Sequence, residues 1–153
     1  MKNLYKGFFC LSILLISLGV TAQKPPVREP DMNRPTLFQS LPEKITCRIN
    51  ILSEMLESET GRNVSISFTE NTSLHGVVIS VASANDNSVQ SVVIRLSNFP
   101  GAALSFSRVL REDGTFSYNG RIISFQHGDA YEISEENGQF FFLKKGFYDL
   151  VNE

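Results

Sequence analysis

Residues 89–110 read VQSVVIRLSNFPGAALSFSRVL. Two runs rich in β-branched and apolar residues flank NFPGA, a break that holds both proline and glycine. Each run has strand length, and the break has turn chemistry. A connection this short makes the two runs antiparallel neighbours, because a parallel return needs a crossover of about a dozen residues or more.

The pattern continues on both sides. Upstream, Val64, Ile66 and Phe68 alternate with Ser65, Ser67 and Thr69, and LHGVVISVAS follows at 74–83. Downstream come TFSYNGRIISF, AYEIS and QFFFLKK, separated by REDG, QHGD and EENG. The period is two from residue 64 onward, and every connection is short. This predicts a meander of about seven antiparallel strands. Asn119-Gly120 reads either as a hairpin tip dividing its run or as an irregularity within one long strand.

Several runs are apolar at consecutive positions, among them Val92-Val93-Ile94 and Phe140-Phe141-Phe142-Leu143. Such strands have two apolar faces, and one short helix does not cover both faces of a seven-stranded sheet. The sheet is therefore expected to curl into a half-barrel or barrel. The helix is sought in SLPEKITCRINILSEMLESETG, where Leu41, Ile45, Ile49, Leu52 and Leu56 share a helical stripe. The spacing predicts one helix over about 42–58, although 44–49 also fits a short strand. The expected fold class is α+β: one N-terminal helix packed on a curled antiparallel meander.

The first residues carry Lys2 and Lys6, an apolar run from Phe8 to about Val20, and Val20-Thr21-Ala22. This is the pattern of a secretory signal cleaved after Ala22, too short for a comfortable membrane span. Residues 23–39 carry four prolines among charged side chains and read as a proline-rich linker. Residues 40–153 then form a single domain. Loss of residues 1–22 removes two lysines and no acid, which moves the formal charge from −2 to −4. An acidic domain has no general attraction for nucleic acid. Cys10 lies in the signal, so Cys47 has no partner for an intrachain disulfide.

Chemically capable side chains concentrate in RIISFQHGDAYEI, residues 121–133, where His127, Asp129 and Glu132 form a weak candidate polar cluster. The simpler reading is a turn: Gly128 supplies backbone freedom and Asp129 caps it. The other histidine, His75, has no metal-ligand spacing to His127. Cys47 among Ile45, Ile49 and Ile51 reads as a buried thiol rather than a nucleophile. Serines recur at Ser65, Ser67, Ser91, Ser105, Ser107 and Ser117. They form either a hydroxyl face suited to carbohydrate or peptide or an ordinary solvent face, and the ordinary face is the simpler reading. A candidate interaction surface near the C-terminus comprises Phe141, Leu143, Phe147 and Tyr148.

These readings lead to the expectation of an exported, non-enzymatic binding domain of the cell envelope or the exterior, without a cofactor and not membrane-spanning. Its candidate partners are a protein, an apolar ligand or a second copy. The alternatives are a small carrier holding an apolar ligand inside a curled sheet and, third, a small hydrolase or metalloenzyme using a histidine. Metal analysis of protein purified without chelator is expected to find zinc well below one equivalent. One tight equivalent lost in His127→Ala would establish the metalloenzyme instead.

Overall fold

The period-two segment is realised as one continuous antiparallel ladder in the computed structural model, which describes Asp31 and residues 33–151. The expected signal, residues 1–22, and most of the expected linker lie outside the described residues. The strands are β1 (Lys44–Cys47), β2 (Asn63–Thr69), β3 (Thr72–Ser83), β4 (Val89–Leu96), β5 (Ala102–Leu110), β6 (Phe116–Ser124), β7 (Asp129–Glu136) and β8 (Gln139–Gly146). Two short helices accompany them, α1 (Ile49–Met55) and α2 (Phe147–Val151).

Strands β2 to β8 follow one another as hairpins, and β1 adds to the free side of β8, giving the order β1-β8-β7-β6-β5-β4-β3-β2. The two end strands, β1 and β2, approach each other to within 8 Å between Cα atoms, so the sheet forms a nearly closed barrel. The turn residues act as their chemistry requires. Glu136 pairs with Gln139 across Asn137 and Gly138, whose φ values of 53° and 76° are those of a two-residue hairpin turn. Asn119-Gly120 lies inside the unbroken β6. Gly120 faces inward opposite Phe106.

The fold is thus mostly β with eight strands, not α+β with about seven, and the expected helix over 42–58 is corrected in its first half. Residues 44–47 alternate exposed and buried and pair with β8 from Lys44↔Leu143 to Cys47↔Phe140. Ile45 satisfies both periods. The unpaired edge of β8 decides between them, because it gives the β1 backbone a full ladder that four isolated residues lack as helix. What remains of the helix is α1, which sends Leu52 into the core.

Alternate residues of every strand face inward. Tyr131, Phe106, Phe142, Ile94, Leu104 and Ile122 are all at or below 2% exposure and belong to one contiguous cluster. Phe38 is in this cluster too, at 0% exposure, although it falls in the stretch read as linker. Its ring meets Phe99 at 5.2 Å and Tyr131 at 5.5 Å between centroids. The Asp129 carboxylate holds it there, accepting the Leu37 N–H at 2.6 Å and the Phe38 N–H at 2.8 Å. Gly128 N–H donates to Pro35 O at 2.9 Å and extends the clamp. Residues 35–38 therefore strap across the β6–β7 connection with Phe38 as a stopper in the barrel.

Phe38→Ala should lower unfolding stability by about 3–5 kcal/mol, as large-to-small core changes do, measured by chemical denaturation. A loss below about 1 kcal/mol, the level of an exposed site, would show that the strap is not part of the folded unit.

Candidate functional site

The polar cluster of residues 127–132 is divided by the fold. His127 Nδ1 and Ser124 Oγ lie 2.8 Å apart within the turn. Asp129 is 6% exposed and occupied by the two strap amides. Glu132 is on the outer face of β7, where its Oε1 accepts Arg121 Nε at 3.1 Å and Nη2 at 2.9 Å. Each group is thus engaged with a different partner. His75 is exposed and sits 3.1 Å from Ser73 Oγ through Nε2. Among the described residues no three His, Cys, Asp or Glu side chains converge as metal ligands. Tyr131 Oη donates to Pro42 O at 2.6 Å, and burial, with Glu43 and Asp129 nearby, pushes the phenol well above its ordinary range.

The C-terminal surface is covered from within the chain. Phe141 is 7% exposed on the outer side of β8, with Lys44 Nζ 3.7 Å from its ring centroid. Leu143 is half-buried opposite Lys44 and Glu132. Phe147 is 5% exposed beneath Phe125, Tyr148 and Arg34, whose guanidinium lies 4.9 Å from the Phe147 centroid and 5.1 Å from that of Tyr148.

The outer face of β4 to β7 has a different character. Two rungs of opposed residues cross it: Ser91, Ser107 and Asn119, and beside them Val93, Ser105, Arg121 and Glu132. Together they line a groove of about 430 Å³. Among the described residues its hydroxyls and its amide have no side-chain partner, except that Ser105 Oγ makes a long 3.4 Å contact to Arg121 O. The Arg121–Glu132 pair closes one side. Its side chains are 42% and 26% exposed, so it contributes at most about 1 kcal/mol of stability, and its presence leaves the groove neutral. The serines were visible in the sequence, but their assembly follows from hairpin register, which sets Ser91 opposite Ser107 and Ser107 opposite Asn119. Loop lengths and inward-facing positions together contain that signal.

No family model, curated protein or solved structure matches the chain.

Cys47 is 5% exposed at the inner end of β1, and burial pushes its thiol from 9.0 to about 12. A thiolate nucleophile is therefore scarce at neutral pH. Native protein should label slowly with a thiol reagent and quickly once unfolded. Because the raised value favours the protonated fold, its contribution is complete below pH 9 and is lost as pH rises towards about 12. Cys47→Ala should lose less stability than the parent across that window. Rapid native labelling would place the thiol at the surface.

Proposed function

We propose that the protein is an exported, non-enzymatic binding domain, acting in the cell envelope or outside the cell, whose recognition surface is the groove on β4 to β7. The observation that carries this reading is the contrast between the two faces of the sheet. Inside, Phe38, Phe106, Tyr131 and Phe142 fill the barrel at 2% exposure or less. Outside, the sheet is hollowed and lined by uncommitted hydroxyl and amide groups.

A carrier of an apolar ligand needs interior volume, and in this barrel that volume is occupied by the chain's own aromatic rings. An enzyme needs polar groups converging on one reacting atom. His127, Asp129 and Glu132 instead serve a turn, a strap and a surface ion pair. Export is supported by the charged, apolar and small-residue pattern of residues 1–22. The groove has little net charge and many donors and acceptors, which suits a neutral, hydrogen-bonding partner over a polyanion.

Ser107→Trp places a large ring in the groove from a half-buried outward position. Its unfolding stability should stay within about 0.5 kcal/mol of the parent, as for ordinary surface changes. A partner crosslinked to the parent protein in its native extract should be absent from the variant. Retention of the same partner by Ser107→Trp would overturn the assignment of the groove, and a stoichiometric lipid extracted from the purified parent would favour the carrier.

A further inference from the structure

We infer that the groove receives an extended polypeptide, added as a strand along the free edge of β6; this rests on the groove being the recognition surface. β6 pairs with β5 along its whole length, from Ala102↔Ser124 to Leu110↔Phe116. Its ladder to β7 consists of two pairs, Arg121↔Glu132 and Ile122↔Tyr131. Among the described residues, from Gly120 back to Phe116 the other edge of β6 has no ladder partner, and neither does the facing edge of β7 from Ile133 to Glu136. β7 is meanwhile fully paired with β8, as far as Glu136↔Gln139. The β5–β6 and β7–β8 hairpins therefore share no ladder beyond Arg121 and Glu132; Gly120 still lies against Ile133 and Phe142, and the unladdered edge beside the groove runs from Asn119 to Phe116.

Main-chain N–H and C=O groups spaced along a strand edge specify their own complement. Another extended main chain matches that spacing, whereas a sugar or an aliphatic chain does not. The side chains along the edge agree with this occupant. Phe116 and Tyr118 fall on the inward side of β6, and Ser117 and Asn119 on the outward side. Phe116 is 41% exposed and Leu110, directly opposite it, 42%, so two large apolar side chains are part-exposed at the end of the barrel, with the Arg108 guanidinium 4.6 Å from the Phe116 ring centroid. An added strand would lay alternate residues against Phe116 and Tyr118 on one face and direct the intervening ones beside Ser117 and Asn119 on the other, at the margin of the groove. Arg121 and Glu132 mark where β6 and β7 join and so where the added strand stops. The ligand class follows: an extended segment, apolar at every second position, with neutral hydroxyl or amide residues between and no proline at the positions whose N–H faces β6.

The test displays peptides of about ten residues, the upper end of ordinary strand length. One library alternates apolar and polar positions, and a second has the same composition in scrambled order. The alternating library should be enriched on the parent protein and not on Ser107→Trp. N-methylation of alternate amides in a selected peptide should weaken binding by about tenfold or more, since each removes a main-chain donor. Amide exchange should slow at residues 116–120. Failure of both libraries, indifference to N-methylation at every position, or protection elsewhere would overturn strand addition. Binding of a neutral oligosaccharide, abolished by Ser107→Trp, would overturn it while leaving the groove as the recognition surface. A native partner retained by Ser107→Trp would remove both readings.

Discussion

Pairing of β1 with β8 is the constraint on which the rest of the structure depends. Every other ladder pairing joins sequence neighbours through a short turn, so β2 to β8 can assemble progressively with little loop-closure cost. Lys44↔Leu143 through Cys47↔Phe140 joins the two ends of the domain. Without it the sheet is an open meander whose inner face, from Ile66 to Phe142, lies open to water. With it, Ile45 and Cys47 cover the last hairpin, and the chain leaving β1 must pass through α1 to reach β2 at the opposite side of the gap. The helix is a consequence of closure: it replaces the hairpin that eight antiparallel strands would otherwise need there, and Leu52 and Leu56 add to the same core.

Closure also explains the strap. A barrel end ringed by Phe99 and Tyr131 exposes aromatic surface unless something covers it. The chain entering β1 is the nearest available cover, and Phe38 supplies it. The strap's own amides then need acceptors in a dry place, since a buried unpaired amide costs about 1–3 kcal/mol. Asp129 answers with two carboxylate oxygens, a charge-assisted arrangement stronger than a neutral one. The most chemically suggestive carboxylate in the sequence is thus committed to holding the fold together.

The strands were legible because local signals agreed: alternation, short turns and left-handed residues all point to the same hairpins, down to Asn137-Gly138. What was not legible depended on contacts distant in sequence. β1 is four residues long and its Ile45 fits a helical stripe equally well, so only the edge of β8 distinguishes the two. Phe38 is a single apolar residue beside a charged, proline-rich stretch, and nothing local marks it as core. Asp129 was read as a turn cap, whereas its carboxylate serves amides more than ninety positions away. The groove was half legible: its serines were evident one by one, but a surface drawn from four strands exists only once register is set.

The division between the two faces has an energetic corollary. Inward positions are closely packed, so a change in volume there costs stability whatever it does to function. Outward positions such as Ser91, Ser107 and Asn119 carry small polar side chains, and their replacement barely touches the core. The short β6–β7 ladder sharpens the point. Inside, Tyr118 meets Phe140 at 5.4 Å and stacks on Phe106 at 5.9 Å, so side-chain packing replaces the missing main-chain bonds. The rings thus meet across β6 and β8 where, among the described residues, β6 and β7 have no ladder, and it is this separation of packing from main-chain pairing that marks the wall of an otherwise nearly closed barrel.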